Sequence, residues 1–428
     1  MTTAQLKTTI LNGGANELLK TLYGERDLEK ARARCAAAID SFVQLYGERE
    51  DAMILSVPGR SEITGNHTDH NHGRVIAASV DCDVIAVAAR GKGRKVRVKS
   101  ENYREDAADL DRLGEENYPR FKSVGLVAGM CRAFADHGLN VGPLDAYTTS
   151  NVLKGSGLSS SAAFEVMVGT ILNHLWNEGA VSVVDVAKYA QWAENTYFGK
   201  PCGLMDQMAC AVGGFVMIDF KDPADPVYEK IDFDLCGTGY ELCIINTGGS
   251  HADLNDDYAS IPAEMKAVAA LFGKPVLQGL TEEELLSSAK RIRQRAGDRA
   301  FLRALHFVRE DARVPAIAEA MKKGDVSAFL DGVRASGDSS FKYLQNVFSP
   351  SFPSEQGVAV ALCAAERALD GCPQKSAVRV HGGGFAGTVQ AFVPREYAEE
   401  FRKQIDRVIG EGSCMIMNVR PVGAVRIL

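Results

Sequence analysis

Three serines behind a glycine-rich turn are the residues of this chain best suited to hold an anion. The segment reads Leu153-Lys-Gly-Ser-Gly-Leu-Ser-Ser-Ser-Ala-Ala163. Gly155 and Gly157 permit backbone conformations and close approaches that a Cβ blocks. With Ser156 and Leu158 they lead into Ser159, Ser160 and Ser161, which offer hydroxyls and main-chain N–H groups at the positive end of a helix dipole. Phe164, Met167, Val168, Ile171, Leu172 and Leu175 predict that helix, since they recur at the three- and four-residue spacing of an apolar stripe. A phosphate suits the cradle; a serine-capped helix after a flexible turn is the plainer reading of the same residues. The segment is not a Walker A loop, because no Gly-Lys-Ser/Thr closes it. Nor is it a dinucleotide fingerprint, because Ser160 stands where the third glycine belongs.

A second polar stretch, Pro58-Gly-Arg-Ser-Glu-Ile-Thr-Gly-Asn-His-Thr-Asp-His-Asn-His-Gly73, gathers an arginine, an aspartate and three histidines. Apolar runs on either side, Ala52 to Val57 and Arg74 to Val80, predict a loop between two strands. His67, Asp69, His70 and His72 are competent metal ligands, although no cysteine pair or His-Glu-x-x-His spacing supports a metal. The stretch also reads as a solvated turn, or as a site whose carboxylates and imidazoles meet the hydroxyls of a polyol. Two further turns carry chemistry or permit it: Cys202-Gly-Leu-Met-Asp-Gln207 and His381-Gly-Gly-Gly-Phe-Ala-Gly387.

Taken in order, these segments resemble the signatures of the GHMP small-molecule kinases, and within them the galactokinases. Gly59 to Asn71 matches the pattern Gly-Arg-x-Asn-Leu-Ile-Gly-Glu-His-Thr-Asp-Tyr-Asn; Gly155 to Ala162 matches Gly-x-Gly-Leu-Ser-Ser-Ser-Ala. Ala193 to Gln207 matches the family's Ala-Glu-Asn/His-x-Phe-x-Gly-x-x-Cys-Gly-x-Met-Asp-Gln, and Gly382 to Gly387 its C-terminal glycine cluster. Four ordered motifs spanning residues 50 to 428 are far more specific than one. The chain departs from the pattern at Asn66 (glutamate in the family), Leu153 (proline), Ala77 (proline), Ser250 (arginine), Val380-His381 (Met-Thr) and Ala386 (glycine).

The resemblance implies an ATP-dependent sugar 1-kinase using Mg²⁺, most simply one acting on galactose. A relative acting on a uronic acid or amino sugar, or a sugar sensor without turnover, stands as the alternative. It implies Asp206 as the group taking the anomeric proton, with Arg60 holding it ionised and stabilising the transferring phosphoryl. Asn66, His67, Asp69, Gly203 and Tyr258 become sugar contacts, residues 155 to 161 the ATP phosphate loop, and Ser161 with Glu194 the metal pair. On this reading Asn66→Glu is expected to improve galactose use, because it restores the family residue. Gly382, Gly383 and Gly384 form a tight turn whose missing side chains let it approach the phosphate loop.

The elements that must position these residues are mixed. Residues 1 to 50 read as helical, and strands are predicted at Ala52–Val57, Val75–Ala89, Lys95–Lys99, Leu242–Asn246, Ser376–Val380 and Thr388–Val393. A long helical region is predicted from Ile261 to Tyr343, a helix from Arg395 and a last strand near Val422. Without steady β-α alternation the class is α+β. The resemblance implies two domains, residues 1–222 like ribosomal protein S5 domain 2 and 223–428 ferredoxin-like, with the site between them. Lys221-Asp-Pro-Ala-Asp-Pro226 is the linker expected at their boundary.

Composition agrees with an enzyme of small molecules. Of 428 residues 46% are apolar, enough for sizeable cores, and the net charge of −7 argues against a general nucleic-acid binder. No apolar run approaches membrane-spanning length, and Met1 to Lys20 lacks a signal-peptide core. Ten cysteines without a C-x-x-C pair read as reduced thiols, so a cytoplasmic location is expected, with the oligomeric state, monomer or homodimer, left open.

Overall fold

A computed structural model describes residues 1–152, 157–200, 202–249 and 254–428. Leu153 to Ser156, with Gly155 and Ser156 of the expected phosphate loop, lie outside the described residues, as does Ser250. Three helices, α1 (Thr3–Leu11), α2 (Asn16–Tyr23) and α3 (Leu28–Tyr46), come first, as the sequence predicts. They cover one face of an eight-stranded sheet built on β1 (Met53–Thr64) and β2 (Arg74–Arg90). The other face carries α4 (Ser123–Asp136), α5 (Ser160–Trp176), α6 (Val183–Ala193) and α7 (Met205–Val212). Alternation in β2 sorts the two layers: Ile85, Val87 and Ala89 pack with Leu6, Ile10 and Phe42, while Val84, Ala86 and Ala88 face the second helical layer.

β3 (Lys95–Ser100), β4 (Glu105–Asp109) and β5 (Leu144–Ser150) extend the sheet; β3 and β5 pair in parallel and the other pairs run antiparallel. The long β2 pairs β5 through its last residues and β6 (Phe215–Asp219) through its first. β6 pairs in turn with β7 (Val227–Ile231). Lys221–Pro226 is therefore part of a hairpin turn within the first sheet. The two prolines suit that turn because neither has to donate into the ladder. The chain leaves the sheet only after Ile231, so the expected division at 222/223 does not fall where the sheets separate.

The second sheet is four antiparallel strands in the order β11-β8-β10-β9, namely β8 (Tyr240–Asn246), β9 (Ala377–His381), β10 (Thr388–Pro394) and β11 (Cys414–Met417). Between β8 and β9 run α8 (Asn255–Ala270), α9 (Glu282–Ser287), α10 (Ala289–Ala296), α11 (Asp298–Lys322), α12 (Val326–Ser339) and α13 (Gly357–Leu369). After β10 comes α14 (Arg395–Ile409), and β12 (Val425–Arg426) returns to pair with β1. The architecture is α+β, as expected. Among the described residues no helix is long and apolar enough to cross a membrane.

One expectation changes at the centre. Pro58 to Thr64 is not loop: β1 continues to Thr64, with register shifts between Pro58 and Arg60 and between Glu62 and Thr64. Every residue of β1 is buried, so its polar members need partners. The second sheet and α11 supply them. Ser61 donates to Gln390 at 2.9 Å, Arg379 pairs with Glu62 at 2.7 Å, and Thr64 Oγ1 and the Gly65 N–H both donate to Glu310 at 2.9 Å. Tertiary pairing overrides the turn signal of Pro58-Gly59, and the irregular register re-aims successive side chains.

Behind the strand lies a second buried charge. Asp83 accepts from Tyr23 at 2.5 Å, from Arg420 at 3.3 Å, and from Ser56 and Arg34, so it ties α2, α3, β1 and the C-terminal segment together. Burial alone would raise its pKa; the guanidiniums of Arg34 and Arg420 outweigh this and hold it below 3.8. A depressed folded-state pKa means stability that is present above the unfolded value and lost as pH falls through the folded one. Asp83→Ala is expected to cost about 3–5 kcal/mol in urea unfolding, since it strands the buried Arg420 and the part-buried Arg34. The gap between variant and wild type should stay constant near neutrality and close only below pH 3.8.

Candidate active site

Asp206 lies in the first turn of α7, where a helix N-terminus favours a carboxylate. Arg60, 6% exposed, grips it with both sides of its guanidinium, Nε to Oδ1 at 2.7 Å and Nη2 to Oδ2 at 2.8 Å. Ser159 Oγ donates to the same carboxylate, and Arg60 Nη1 donates to the Gly157 carbonyl. The Arg60 N–H donates to the Leu158 carbonyl at 3.1 Å. One arginine thus joins the carboxylate to the described part of the serine loop. Burial would raise the Asp206 pKa, but Arg60, with Ser159 and Lys200, lowers it below 3.8. Its side chain remains 32% exposed, open to a hydroxyl approaching from the cleft.

The serine loop enters its helix as expected. Ser159 takes the left-handed conformation (φ 59°) just before α5, and Ser160 and Ser161 occupy the first turn. Gly157 (φ +69°) passes so close to the second sheet that a Cβ would lie 2.7 Å from Thr388 Oγ1. His381 sits beside it. Its Nε2 must accept, because the Glu62 N–H donates to it at 3.1 Å, so Nδ1–H donates to Thr388 Oγ1 at 2.8 Å. Burial, then the charges of Arg60 and Arg379, keep this imidazole neutral, with a pKa far below 6.5. The third glycine turn therefore flanks the serine loop through His381 and Thr388, the residues at its two ends.

Glu194 opens a π-helical turn, Glu194–Phe198, directly after α6. Such turns widen the backbone and are frequent at functional positions. Its Oε1 accepts from Ser161 Oγ at 3.3 Å and its Oε2 from Gln207 Nε2 at 2.9 Å. Gln207 Nε2 also donates to Glu165 at 3.2 Å, leaving Glu165 Oε1 and Gln207 Oε1 without hydrogen-bond partners. Burial, then the charge of Glu194, push the Glu165 carboxyl well above its usual range. Glu165 is a site residue the motifs did not single out. Its position four residues after Ser161, on the same helix face, was the available signal. The Ser161 and Glu194 oxygens form a hard donor set of the kind a small octahedral cation takes together with phosphates and water. Among the described residues no group of three His, Cys, Asp or Glu side chains forms a metal cluster of its own.

The remaining polyol candidates gather at the mouth of the loop after β1. His67 (φ 57°) donates from Nε2 to the Gly383 carbonyl at 2.9 Å, and burial lowers its pKa to about 4. The Asp69 carboxylate faces Gly203 so closely that a Cβ there would lie 2.1 Å from Oδ2, which explains the glycine. Tyr258 donates to the Gly384 carbonyl at 2.8 Å and stacks edge-on against Phe385, so it fixes the glycine turn.

Asn66 stands apart from that group. It is fully buried. Its Nδ2 donates to Glu62 at 2.9 Å and to the Gly382 carbonyl at 2.6 Å; its Oδ1 accepts from Asn346 at 2.8 Å and Ser340 at 3.2 Å. Both donors and both acceptor sites of the amide are taken up by protein groups, which corrects the expectation that it meets a sugar hydroxyl. The sequence held the explanation: Glu62 occupies the asparagine position of the Gly-Arg-x-Asn-Leu-Ile-Gly-Glu-His pattern. Glu62 and Asn66 are thus an exchanged pair, hydrogen-bonded to one another.

Known proteins share both sequence patterns and the fold with this chain. The family model for the GHMP kinase N-terminal domain matches residues 125–214, and that for the galactokinase galactose-binding signature matches residues 40–90. A galactokinase of Streptomyces coelicolor is 29% identical over 86% of this chain and 91% of its own length. One from Clostridium tetani is 28% identical over 86% and 92%. The crystal structure of Lactococcus lactis galactokinase complexed with galactose superposes with a TM-score of 0.79 at 24% identity, covering 92% of this chain and 100% of that one. The mevalonate kinase of Methanococcus jannaschii shares the fold at a TM-score of 0.59 and 14% identity. With the serine loop, the Arg60–Asp206 pair and the glycine turn brought together, the chain has the GHMP kinase fold and carries matches to the GHMP kinase N-terminal domain and to the galactokinase galactose-binding signature.

Proposed function

We propose that this protein transfers the γ-phosphoryl group of ATP to the anomeric hydroxyl of galactose. The observation that carries the reading is the bidentate Arg60–Asp206 pair set against Gly157 and Ser159 of the serine loop. Phosphoryl transfer asks the protein mainly for positioning and charge stabilisation. Asp206, ionised at neutral pH, accepts a hydrogen bond from the hydroxyl and aims its oxygen at the γ-phosphorus. A carboxylate held below 3.8 is a weak base, so it takes the proton late, as the new O–P bond forms and ADP leaves. Arg60 keeps it ionised and faces the charge that builds on the phosphoryl oxygens. The serine loop holds the phosphates, and Ser161 with Glu194 would hold Mg²⁺, which when bound neutralises phosphate charge. His67 and Asp69, with Gly203 clearing space for the carboxylate, meet the ring hydroxyls, and Tyr258 braces the glycine turn beside them. A coupled ADP-release assay across galactose, galacturonate and galactosamine tests the assignment, with galactose expected to be used best.

Asp206→Ala is expected to abolish ADP release while ATP binding, measured by calorimetry, stays within a few-fold of wild type. Because the Asp206 pKa lies below 3.8, its protonation should leave kcat/KM flat from neutrality down to that region. A normal kcat in the variant would remove Asp206 from the chemistry.

Ser161→Ala and Glu194→Ala should each raise the magnesium concentration needed for half-maximal rate, several-fold or more. Unchanged magnesium dependence in both variants would exclude them as metal ligands.

Asn66→Glu, expected from the motif alone to help, is now expected to harm. It sets a second carboxylate against Glu62 in a fully buried site and turns the donor facing Gly382 into an acceptor. A loss of about 3 kcal/mol in urea unfolding and a lower galactose kcat/KM should result. Glu62→Gln in the same chain should recover part of both, whereas a stable single variant with improved kcat/KM would refute the paired reading.

A further inference from the structure

Glu194 divides its two oxygens between different tasks. Oε2 is fixed by Gln207, while Oε1 faces the cleft with Ser161 and, at 3.5 Å, the ammonium of Lys200. The carboxylate is 3% exposed and the lysine side chain 57%, so a mobile cation at the mouth covers a buried anion. The backbone builds this arrangement in. The N–H groups of Gly199 (φ +87°) and Lys200 both return to the Glu194 carbonyl, at 2.9 and 3.3 Å. The π turn that points Glu194 into the site therefore also plants Lys200 beside it, and no motif of the sequence singles this lysine out.

We propose that Lys200 is a second catalytic cation, which guards Glu194 Oε1 in the free protein and moves onto the nucleotide phosphates when the metal takes that oxygen. The inference rests on the reading of Ser161 and Glu194 as the metal pair. Two cations cannot both contact one carboxylate oxygen without strong repulsion, so with a divalent ion held by Ser161 and Glu194 the Lys200 ammonium would leave Oε1. Lysine suits the exchange: it is a point charge on a four-carbon stem, unlike the planar fork that locks Arg60 on Asp206. Burial works against its charge, but Glu194 and then Asp206 outweigh this and raise its pKa, so it stays charged at neutral pH. Glu194 and Asp206 flank the space that the transferring phosphoryl would enter, which leaves the phosphates as the nearest anions once Oε1 is taken. There the ammonium would stabilise charge building on the phosphoryl oxygens, as a second cation beside Arg60.

The test uses the full-length protein and the variants Lys200→Met and Lys200→Arg. Binding of Mn²⁺ alone, monitored by the electron paramagnetic resonance of the free ion, should tighten several-fold in Lys200→Met, because the competing charge is gone. In a Glu194→Gln background the same substitution should change Mn²⁺ binding little. With ATP and galactose, Lys200→Met should lose about tenfold or more in kcat with little change in galactose KM, and Lys200→Arg should keep most of the rate. Unchanged or weaker Mn²⁺ binding in Lys200→Met, or a kcat close to wild type, overturns the proposal. A wild type that releases no ADP with any sugar tested would sink the kinase reading instead, and the Mn²⁺ arm would still decide the place of Lys200.

Discussion

A strand buried on both faces carries Arg60, Ser61, Glu62 and Thr64, and the need to satisfy those four side chains governs how the two sheets meet. Water cannot reach them. Gln390, Arg379 and Glu310 come from the second sheet and α11 to meet three of them, and Asp206 comes from α7 to meet the fourth. Removing one member of such a pair leaves an uncompensated charge, which costs more than the pair itself contributes. The interface between the sheets and the geometry of the candidate site are therefore one construction. The register shifts in β1 point Arg60 at the serine loop and Glu62 at Arg379, two residues apart on the same strand.

Charge is handled differently on the two sides of the cleft. Around Asp206 the donors are short, paired and fixed by secondary structure: Arg60 on a strand, Ser159 at a helix entry. Glu194 Oε2 is likewise fixed, by Gln207 at 2.9 Å, but the donors on Oε1 are longer and leave room, with Ser161 at 3.3 Å and Lys200 at 3.5 Å. For the proposed reaction, pre-organisation suits a carboxylate that would aim a hydroxyl, and loose coordination suits one that would take and release a hydrated cation. π-helical turns recur around the site: Glu194–Phe198 presents Glu194, and Ser340–Leu344 brings Ser340 to Asn66.

How much of this was legible in the sequence depended on the distance over which each feature is decided. The apolar stripe after Ser161, the strand at Val75–Ala89 and the helical first fifty residues obey local periodicity, and the structure has them. Motif order brought Arg60, Asp206, Ser161 and Glu194 together although 146 positions separate the first two. Features set by distant partners were misread. Pro58-Gly59 looks like a turn unless Gln390, Arg379 and Glu310 are known to satisfy Ser61, Glu62 and Thr64 from across the cleft. The Lys221–Pro226 prolines look like a linker unless β6 and β7 are known to form a hairpin. Glu165 is hard to pick out in an apolar helix, because only its four-residue spacing from Ser161 marks it.

The Glu62–Asn66 pair shows why a substitution read alone can point the wrong way. Exchanging an amide and a carboxylate across one hydrogen bond conserves the net charge of the pair and its capacity to bond. It changes where the charge lies. Here the carboxylate sits on the strand, against Arg379, and the amide sits in the loop, where its donors can reach the Gly382 carbonyl. A glutamate in that loop would face the carbonyl with nothing to donate. The exchange therefore uses the loop's residue to bind the glycine turn, and it leaves His67, held neutral, and Asp69 as the polar groups flanking that residue toward the cleft. In the proposed reaction, the ring hydroxyls away from the anomeric carbon would then meet His67 and the one carboxylate of Asp69, in a space shaped by Gly203, with no second charge supplied from position 66.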